Sequence, residues 1–339
     1  PFMGAFLIPV LDLVSRHIKP FVPVVINFIL LVLSLVFIAY EQGTSTYFPG
    51  GWSPAEGVAI GIHLSCDGLS RLMLLIINLM AFVCAVFSVP YLKKYTGSKY
   101  FHTLFCLQLA GLNGVVLSAD MFNIFVFMEV TAKASYALVA FGVRKTEIEA
   151  SFKYQIMGGL ASLLILMAIV LLYWMTSTLN MADISHILRD NHPARQAMLR
   201  FIQLFLIAGL SIKAAMIPFH AWLPDAHSSA PSPVSAMLSG VVIKVVGIYV
   251  VMRLFFNVFE PDVFVSQVLV VLGGISMTAG VFLAIGAWNI KRLLAYHSIS
   301  QMGYVVMGMG LALGVVASGK TTAAVAMTLT GAIFHMFNH

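Results

Sequence analysis

Four charged side chains lie well inside long apolar stretches of the sequence: Glu129, Lys133, Lys213 and Lys244. Within a lipid bilayer, an ionised side chain near the centre costs at least about 2.5 kcal/mol. Such side chains normally face protein or water rather than lipid, and they usually mark the path of an ion. Three lysines and one glutamate therefore predict a route for protons, or for another small cation, through apolar surroundings.

Glu129 and Lys133 are four residues apart, which places them on the same face of a helix. One interpretation is a structural pair whose charges neutralise each other. The other is that Glu129 accepts protons and that its protonation responds to a cation moving nearby. We favour the second interpretation because Lys213 and Lys244 also need partners.

Lys213 precedes Pro218 by five residues in a predicted helix over 199–218. Proline cannot donate a backbone hydrogen bond, so we expect the helix to break or kink nearby. Broken helices form ion sites deep in transporters, and a desolvated lysine can lose its proton near neutral pH. We expect Lys213 to lie four to five residues inside the helix, too far for its amine to reach the membrane surface.

Lys244 is flanked by Gly240 and Gly247, each about one helical turn away. Small residues at these positions permit close helix packing and leave room for water. We therefore expect Lys244 to be the most central of the lysines on the route.

His335 and His339 are also spaced four residues apart, in the last apolar stretch. Two imidazoles that titrate near neutral pH suit a proton relay. They could also bind a metal or a haem, or be structural. Haem ligation across a bundle would need a histidine on a second helix, and neither a zinc nor a haem motif occurs.

The composition indicates an integral membrane protein. Hydrophobic residues make up 60% of the 339 and charged residues 9%, whereas soluble domains average about 25% charged residues. The apolar runs are continuous and about 20 residues long, which predicts membrane-spanning helices rather than a β-barrel. We predict helices at 2–14, 21–40, 67–91, 101–118, 121–142, 152–175, 199–218, 232–255, 263–286, 298–317 and 322–339.

The segments between these helices support smaller predictions. Residues 58–64 read as a short strand or a surface hairpin, and 176–198 contains a short interfacial helix. Asp67 and Asp120 are expected to cap the helices that follow them, with Asp67 also pairing with Arg71.

Charge in the loops predicts topology rather than nucleic-acid binding. The net charge is +6, but the basic residues are scattered and form no basic face. Lys and Arg are more frequent on the side that holds Lys93, Arg144 and Lys291, so this side is predicted to be cytoplasmic. The three cysteines have no metal-binding or redox spacing.

Several segments resemble the antiporter-like subunits of respiratory complex I, Mrp sodium/proton antiporters and membrane-bound hydrogenases. The long segment from Pro218 to Gly240, followed by Lys244, resembles the signature of that family. The helix around Glu129, the segment from Ile290 to Tyr304, and the histidines at 335 and 339 resemble three further motifs. Residues 178–183 are most similar to the Mrp D-type subunit and its hydrogenase counterparts.

The resemblance implies an all-α polytopic bundle with two inverted five-helix repeats and proline-broken helices. Residues 1–99 would form N-terminal helices with a periplasmic hairpin, 100–258 the first repeat with an ion half-channel, and 259–339 the start of a second repeat. The last apolar run stops at His339, so we expect that repeat to be truncated and the exit-side charged helix to lie beyond it.

The resemblance also implies roles for residues. Glu129 and Lys213 would control proton entry, and Lys244 would pass the proton towards His335 and His339. The candidate modulators are Lys133, His220, Asp225 and His227. Lys133 departs from the family pattern, and it could neutralise Glu129 permanently or mark a subgroup adapted to another ion.

The expected function is proton translocation by a cell-membrane subunit, either the D-type subunit of an Mrp complex, where the proton could be exchanged for Na+, or a membrane-arm subunit of a hydrogenase. The partners implied are other hydrophobic subunits, the lipid bilayer, H+ and Na+. No catalytic chemistry, cofactor or metal is expected on this chain. Iron–sulfur, nickel–iron or flavin groups would belong to partner subunits. The alternatives are a proton-pumping subunit of NADH-quinone oxidoreductase and a structural membrane scaffold.

Overall fold

The computed structural model describes residues 1–14, 21–40, 43–52, 61–95, 98–189, 193–319 and 322–339. Within these ranges the chain is a bundle of α-helices with one small antiparallel sheet. The helices are α1 (Phe2–Val14), α2 (Val22–Tyr40), α3 (Gly68–Tyr91), α4 (Ser98–Leu117), α5 (Met121–Val139), α6 (Lys145–Thr176), α7 (Met181–Leu188), α8 (Pro193–Lys213), α9 (Trp222–Ser229), α10 (Ser232–Met237), α11 (Val250–Asn257), α12 (Val263–Ile285), α13 (Ile290–Ala317) and α14 (Thr322–Asn338). The strands are β1 (Ser45–Tyr47) and β2 (Leu64–Cys66).

Nine helices in the described ranges are long and apolar enough to cross a membrane, and α14 contains a shorter apolar stretch. Large apolar side chains such as Phe28 and Leu163 are exposed on the outside of the bundle, where lipid or other subunits would cover them. Some buried polar side chains, by contrast, hydrogen-bond one another between helices, as Asn113 does with Asn78. The prediction of an all-helical, multi-pass membrane protein is confirmed.

One helix passes through the middle of the bundle, and we call it the central helix (Ser232–Asn257). It begins as α10, continues through two π-helical segments (Leu238–Val242 and Lys244–Tyr249) and ends as α11. In its most apolar stretch of 18 residues, 83% is buried inside the protein. π-Helical turns are rare and often lie at functional sites, and here the second one begins at Lys244.

Polar caps extend two helices beyond their predicted starts. α6 begins at Lys145 instead of 152, because the Glu147 carboxylate accepts a hydrogen bond from the Arg144 N–H at 3.1 Å. α13 begins at Ile290 instead of 298, where the Asn289 side chain accepts from two backbone N–H groups. Hydrophobicity alone locates the part of a helix that lies in the membrane and misses such extensions.

The sequence predicted a short strand or hairpin at 58–64, and the observed strand β2 is Leu64–Cys66. Residues 58–60 are outside the described part of the chain, and β2 pairs with β1 in the register Ser45↔Cys66. The predicted interfacial helix between 176 and 198 is confirmed as α7, whose N-cap Asn180 accepts hydrogen bonds from Ala182 and Asp183.

Asp67 anchors the central helix to the start of α3. As predicted, its carboxylate caps α3 by accepting from the Ser70 N–H at 2.9 Å. The predicted ion pair with Arg71 is wrong, because the Asp67 carboxylate pairs with Arg253 through both oxygens. Arg71 instead donates to the backbone oxygen of Asp67 at 3.3 Å. Asp120 caps α5 as predicted, by accepting from the Asn123 N–H.

Candidate functional site

Glu129 on α5 and Lys213 at the end of α8 form an ion pair inside the bundle. The Lys213 Nζ lies 3.2 Å from Glu129 Oε1, and the lysine side chain is 4% exposed. Ser162 on α6 joins the pair: Lys213 Nζ donates to Ser162 Oγ at 3.1 Å, and this hydroxyl donates to Glu129 Oε1. The prediction from the residues therefore identified both charges and missed the serine between them.

Lys213 is positioned by a break in its helix rather than by a continuous helix. α8 ends at Lys213, and Ala215 has a left-handed φ of 54°. The predicted continuation to 218 is therefore wrong, and the prediction of a break near Pro218 is confirmed. A cation at this position also interacts favourably with the helix C-terminus.

Backbone groups released by this break find partners on neighbouring segments. Trp222 Nε1 donates to the carbonyl of Ile212 at 3.0 Å, and the Ile217 N–H donates to Ser276 Oγ at 3.0 Å. Backbone at membrane depth needs such partners because lipid offers none. The backbone groups named above therefore have hydrogen-bond partners at the break, and the break directs Lys213 towards Glu129.

Lys133 lies on the outer side of Glu129. Its Nζ is 3.1 Å from Glu129 Oε2, whereas Lys213 and Ser162 use Oε1. The Lys133 side chain is 60% exposed, whereas that of Lys213 is 4% exposed. Glu129 therefore contacts one lysine at the surface of the bundle and one in its interior. The predicted helical pair exists, and Lys213 extends it to a three-residue charge cluster.

Lys244 is 3% exposed, on the central helix. Among the residues that the structure describes, none accepts a hydrogen bond from its ammonium group. Close packing brings its helix to the broken end of α8: a Cβ added at Gly247 would come within 2.5 Å of the Ala214 Cβ. The predicted role of Gly247 in close helix approach is therefore consistent with the structure, and Lys244 and Lys213 lie on elements in direct contact.

A cavity of about 700 Å³ lies beside the first half of the central helix, and we call it the histidine cavity. Its lining includes Ser239, Gly240, Lys291, Gln301, His227, His297, His335 and His339. Lys244, His297 and His335 lie close enough to His339 for their charges to act on its ring. The structure thus brings the predicted histidines together with Lys244, and adds His297.

Side-chain contacts organise the cavity. His335 shares a 2.7 Å hydrogen bond with Gln301 Oε1, and its ring lies 5.4 Å from that of Tyr304. The rings of His297 and His339 are 5.7 Å apart. In the described part of the chain, no three His, Cys, Asp or Glu side chains are grouped so that they could hold a metal ion.

Two of the four candidate modulators, Asp225 and His227, lie on α9. Asp225 forms 2.9 Å ion pairs with Lys153 on α6 and Arg292 on α13. His227 lines the histidine cavity and hydrogen-bonds Ser235 Oγ at 2.9 Å. Burial, reinforced by the charge of Lys291, lowers the pKa of His227 to about 4, so its ring is neutral at pH 7.

His220 lies in the short 3₁₀ segment Phe219–Ala221, between α8 and α9. Its ring is 6.4 Å from that of Tyr296, and burial lowers its pKa. It lies outside both the Glu129 cluster and the histidine cavity, so among the candidate modulators only Lys133 and His227 belong to those two groups.

A second cavity, of about 270 Å³, lies at the opposite end of the central helix. It contains the Asp67–Arg253 pair and Tyr249, whose hydroxyl accepts from Arg253 Nε at 2.7 Å. The sequence did not single out Arg253, so this network was not predicted.

Known proteins share this architecture. The sequence profile of the family described as "NADH:quinone oxidoreductase/Mrp antiporter, TM" matches residues 118–339. The chain is 31% identical to the D-type subunit of a Na(+)/H(+) antiporter from Alkalihalophilus pseudofirmus, over 93% of this chain and 60% of the relative. It is 36% identical to the N-type subunit of NADH-quinone oxidoreductase from Desulforudis audaxviator, over 86% of this chain and 56% of the relative.

A solved structure is similar over nearly the whole chain. The archaeal membrane-bound sulfane sulfur reductase, a respiratory membrane complex, contains a chain that aligns with a TM-score of 0.86 and 30% identity. The alignment covers 98% of this chain and 67% of that one. The chain spans less than two thirds of the length of the two relatives above.

Proposed function

Because this chain belongs to the NADH:quinone oxidoreductase/Mrp antiporter family, we propose that it is a proton-translocating membrane subunit of a multi-subunit complex. The observation that carries the proposal is the buried Lys213–Ser162–Glu129 cluster, packed against the helix that holds Lys244. A purely structural bundle would gain more stability from apolar residues at these positions, since buried ion pairs often contribute less than well-packed hydrophobic side chains.

The route runs from the charge pair to the histidine cavity. When Lys213 leaves Glu129 and approaches the central helix, repulsion between the two ammonium groups favours loss of a proton from Lys244. His339 and His335 lie next in line and accept that proton, because neutral imidazole is a suitable acceptor near pH 7. Return of Lys213 to Glu129 lets Lys244 take up another proton.

Ser162 stabilises the state in which Lys213 and Glu129 are paired. Its hydroxyl receives a hydrogen bond from Lys213 and donates one to Glu129, so both charged groups are solvated when they are together. Hydrogen bonds to charged groups contribute about 1.5–3 kcal/mol each, a range that makes the pair stable but able to open.

We propose that the host is an Mrp-type antiporter, in which this chain takes the place of the D-type subunit, or the membrane arm of a hydrogenase. The first of these is supported by the 31% identity to a D-type antiporter subunit. In such a complex the proton would be exchanged for Na+, and the complex would lie in the cell membrane. Redox cofactors, where the complex carries them, are proposed to sit on partner subunits.

The second candidate is a proton-pumping subunit of a respiratory complex, and the 36% identity to an N-type subunit of NADH-quinone oxidoreductase favours it. The native complex, purified in mild detergent, separates the candidates by its subunits and metals. Iron with nickel indicates a hydrogenase-linked pump, iron without nickel a respiratory relative, and no redox metal an Mrp-type antiporter.

The proposal is tested by two substitutions in the native complex, Glu129→Gln and Lys213→Met. Both remove a charge from the pair and preserve approximate size, so we expect an assembled complex with little proton translocation in proteoliposomes. Lys145→Met is the control, because Lys145 is exposed at the start of α6, outside the bundle interior. Normal translocation in both variants would contradict the proposal and favour a structural scaffold.

A further inference from the structure

Lys133 presents a charge on the outside of a membrane-spanning helix. Its side chain is 60% exposed, and it lies three residues from Val130, the midpoint of α5. At 1.5 Å per residue this is roughly 4.5 Å from the centre of the helix. The ammonium group points towards Glu129, one turn nearer the start of α5, and therefore away from the closer helix end at Val139. Lys133 does not extend towards the membrane surface as an isolated lysine would.

Glu129 compensates this charge only in part. One of its oxygens already pairs with Lys213 and Ser162, and only the other faces Lys133. The cluster therefore contains two ammonium groups and one carboxylate, which leaves one uncompensated positive charge. Lys133 has three N–H donors, and Glu129 is its only hydrogen-bonding or ion-pair partner among the described residues.

The surface around Lys133 is suited to another helix. Phe122, Val126 and Ala137 are exposed on the same stripe of α5, at helical spacing, and Lys133 is the one charged residue of that stripe that is exposed. On the adjacent helix α6, Leu163 is exposed and a Cβ added at Gly159 would meet nothing within 4 Å. Small residues of this kind allow helices to approach closely in membranes.

We propose that this face of α5 and α6, centred on Lys133, binds a transmembrane helix of a neighbouring subunit that places an aspartate or glutamate against the Lys133 ammonium. Charge complementarity identifies the occupant as a protein helix with an acidic residue. Lipid tails cannot solvate the extra positive charge, whereas an acidic side chain balances the cluster at two cations and two anions. The inference rests on the proposed function only in requiring a membrane partner.

This assignment gives Lys133 a role other than permanent neutralisation of Glu129. A partner carboxylate attracts the Lys133 ammonium outward and weakens its hold on Glu129 Oε2. Glu129 is then free to respond to Lys213, so the charge pair works fully only in the assembled complex.

The test begins with charge reversal in the native complex. In Lys133→Glu, two carboxylates would face each other across the interface, and like charges at such positions cost several kcal/mol. We expect the neighbouring subunit to co-purify with this chain about tenfold less, as quantified by mass spectrometry. Lys133→Met, which removes the charge but keeps the length, should lose less, and Lys145→Glu should behave as the wild type.

A photo-crosslinking residue at Leu163 then identifies the occupant in the intact complex. The expected adduct is a transmembrane segment of another subunit that contains an Asp or Glu. Changing that acid to lysine should restore assembly of the Lys133→Glu variant, and this rescue excludes simple misfolding. Adducts only with lipid, with a second copy of this chain or with this polypeptide itself would overturn the inference.

The outcomes also separate this inference from the proposed function. If wild-type protein purifies with no other membrane subunit, the proposed subunit role fails as well. If Lys133→Glu retains its full set of subunits and its proton translocation, only the interface is rejected.

Discussion

The Lys213 ammonium lies 3.2 Å from Glu129 Oε1, although the two residues are 84 positions apart in the chain. α8 stops at Lys213, and the side chain of this last residue reaches the Glu129 carboxylate on α5. An element that ends at a charge can move that charge more easily than a continuous helix could. In the proposed mechanism, this broken helix lets Lys213 alternate between Glu129 and the region of Lys244.

Ser162 should matter as much for transport as a direct ion-pair partner. In Ser162→Ala, the hydroxyl between Lys213 and Glu129 is lost, and proton translocation should fall by about tenfold because hydrogen bonds to charges contribute about 1.5 kcal/mol or more. Ser162→Thr keeps the hydroxyl and should retain most activity. Ser151→Ala, which removes a buried serine hydroxyl that donates to a backbone carbonyl on α5, is the matched control. Equal activity of Ser162→Ala and Ser151→Ala would exclude a role for the hydroxyl.

Gly247 should not tolerate a side chain. An added Cβ would lie 2.5 Å from the Ala214 Cβ, so Gly247→Val must push the central helix away from the end of α8. Overpacking of this kind costs about 1–3 kcal/mol, and thermal unfolding in detergent should occur at lower temperature. Gly274→Val on α12 is the control, because nothing lies within 4 Å of a Cβ there. A similar unfolding temperature for both variants would show that the contact is looser than described.

The Asp67–Arg253 pair predicts acid sensitivity. Burial alone would raise the pKa of Asp67, but hydrogen bonds from Arg253 and the Ser70 N–H, together with the Arg253 charge, lower it to about 2. An unfolded aspartate has a pKa of about 3.9. The folded value is the lower one, so the pair stabilises the fold above about pH 4 and this contribution is lost as the pH falls towards about 2.

The measurement is thermal unfolding of wild type and Asp67→Asn between about pH 2 and about pH 7. The variant should be less stable at pH 7 and should lack the Asp67 part of the decline in acid. Glu149→Gln removes an ion pair with the half-exposed Lys153 and should have little effect, since surface pairs contribute about 0–1 kcal/mol. An unchanged decline in Asp67→Asn would mean that other carboxylates determine acid stability.

The sequence was informative for features that have a high energetic cost in the membrane or that depend only on residues close together in the chain. Charge inside an apolar run is rare, so Glu129, Lys133, Lys213 and Lys244 were found without a structure, as were the caps at Asp67 and Asp120. Serine is common in membrane helices, and nothing in the sequence distinguished Ser162 from its neighbours. Its role depends on which helices pack together.

Long-range pairing explains the remaining differences. Arg71 lies one turn from Asp67 and was the natural local partner, but Arg253 arrives from the central helix and forms two hydrogen bonds. The end of α8 was placed at Pro218, whereas the chain leaves the helix at Lys213, before the proline. The division into 1–99, 100–258 and 259–339 and the relay roles of the site residues remain predictions.

The central claim is that Lys244 carries the proton between the charge pair and the histidine cavity. The most direct test is proton translocation by the native complex in proteoliposomes with Lys244→Met, after its full set of subunits has been verified by mass spectrometry. We predict an assembled complex without translocation, while Lys145→Met translocates normally. Translocation at the wild-type rate in an assembled Lys244→Met complex would contradict the account.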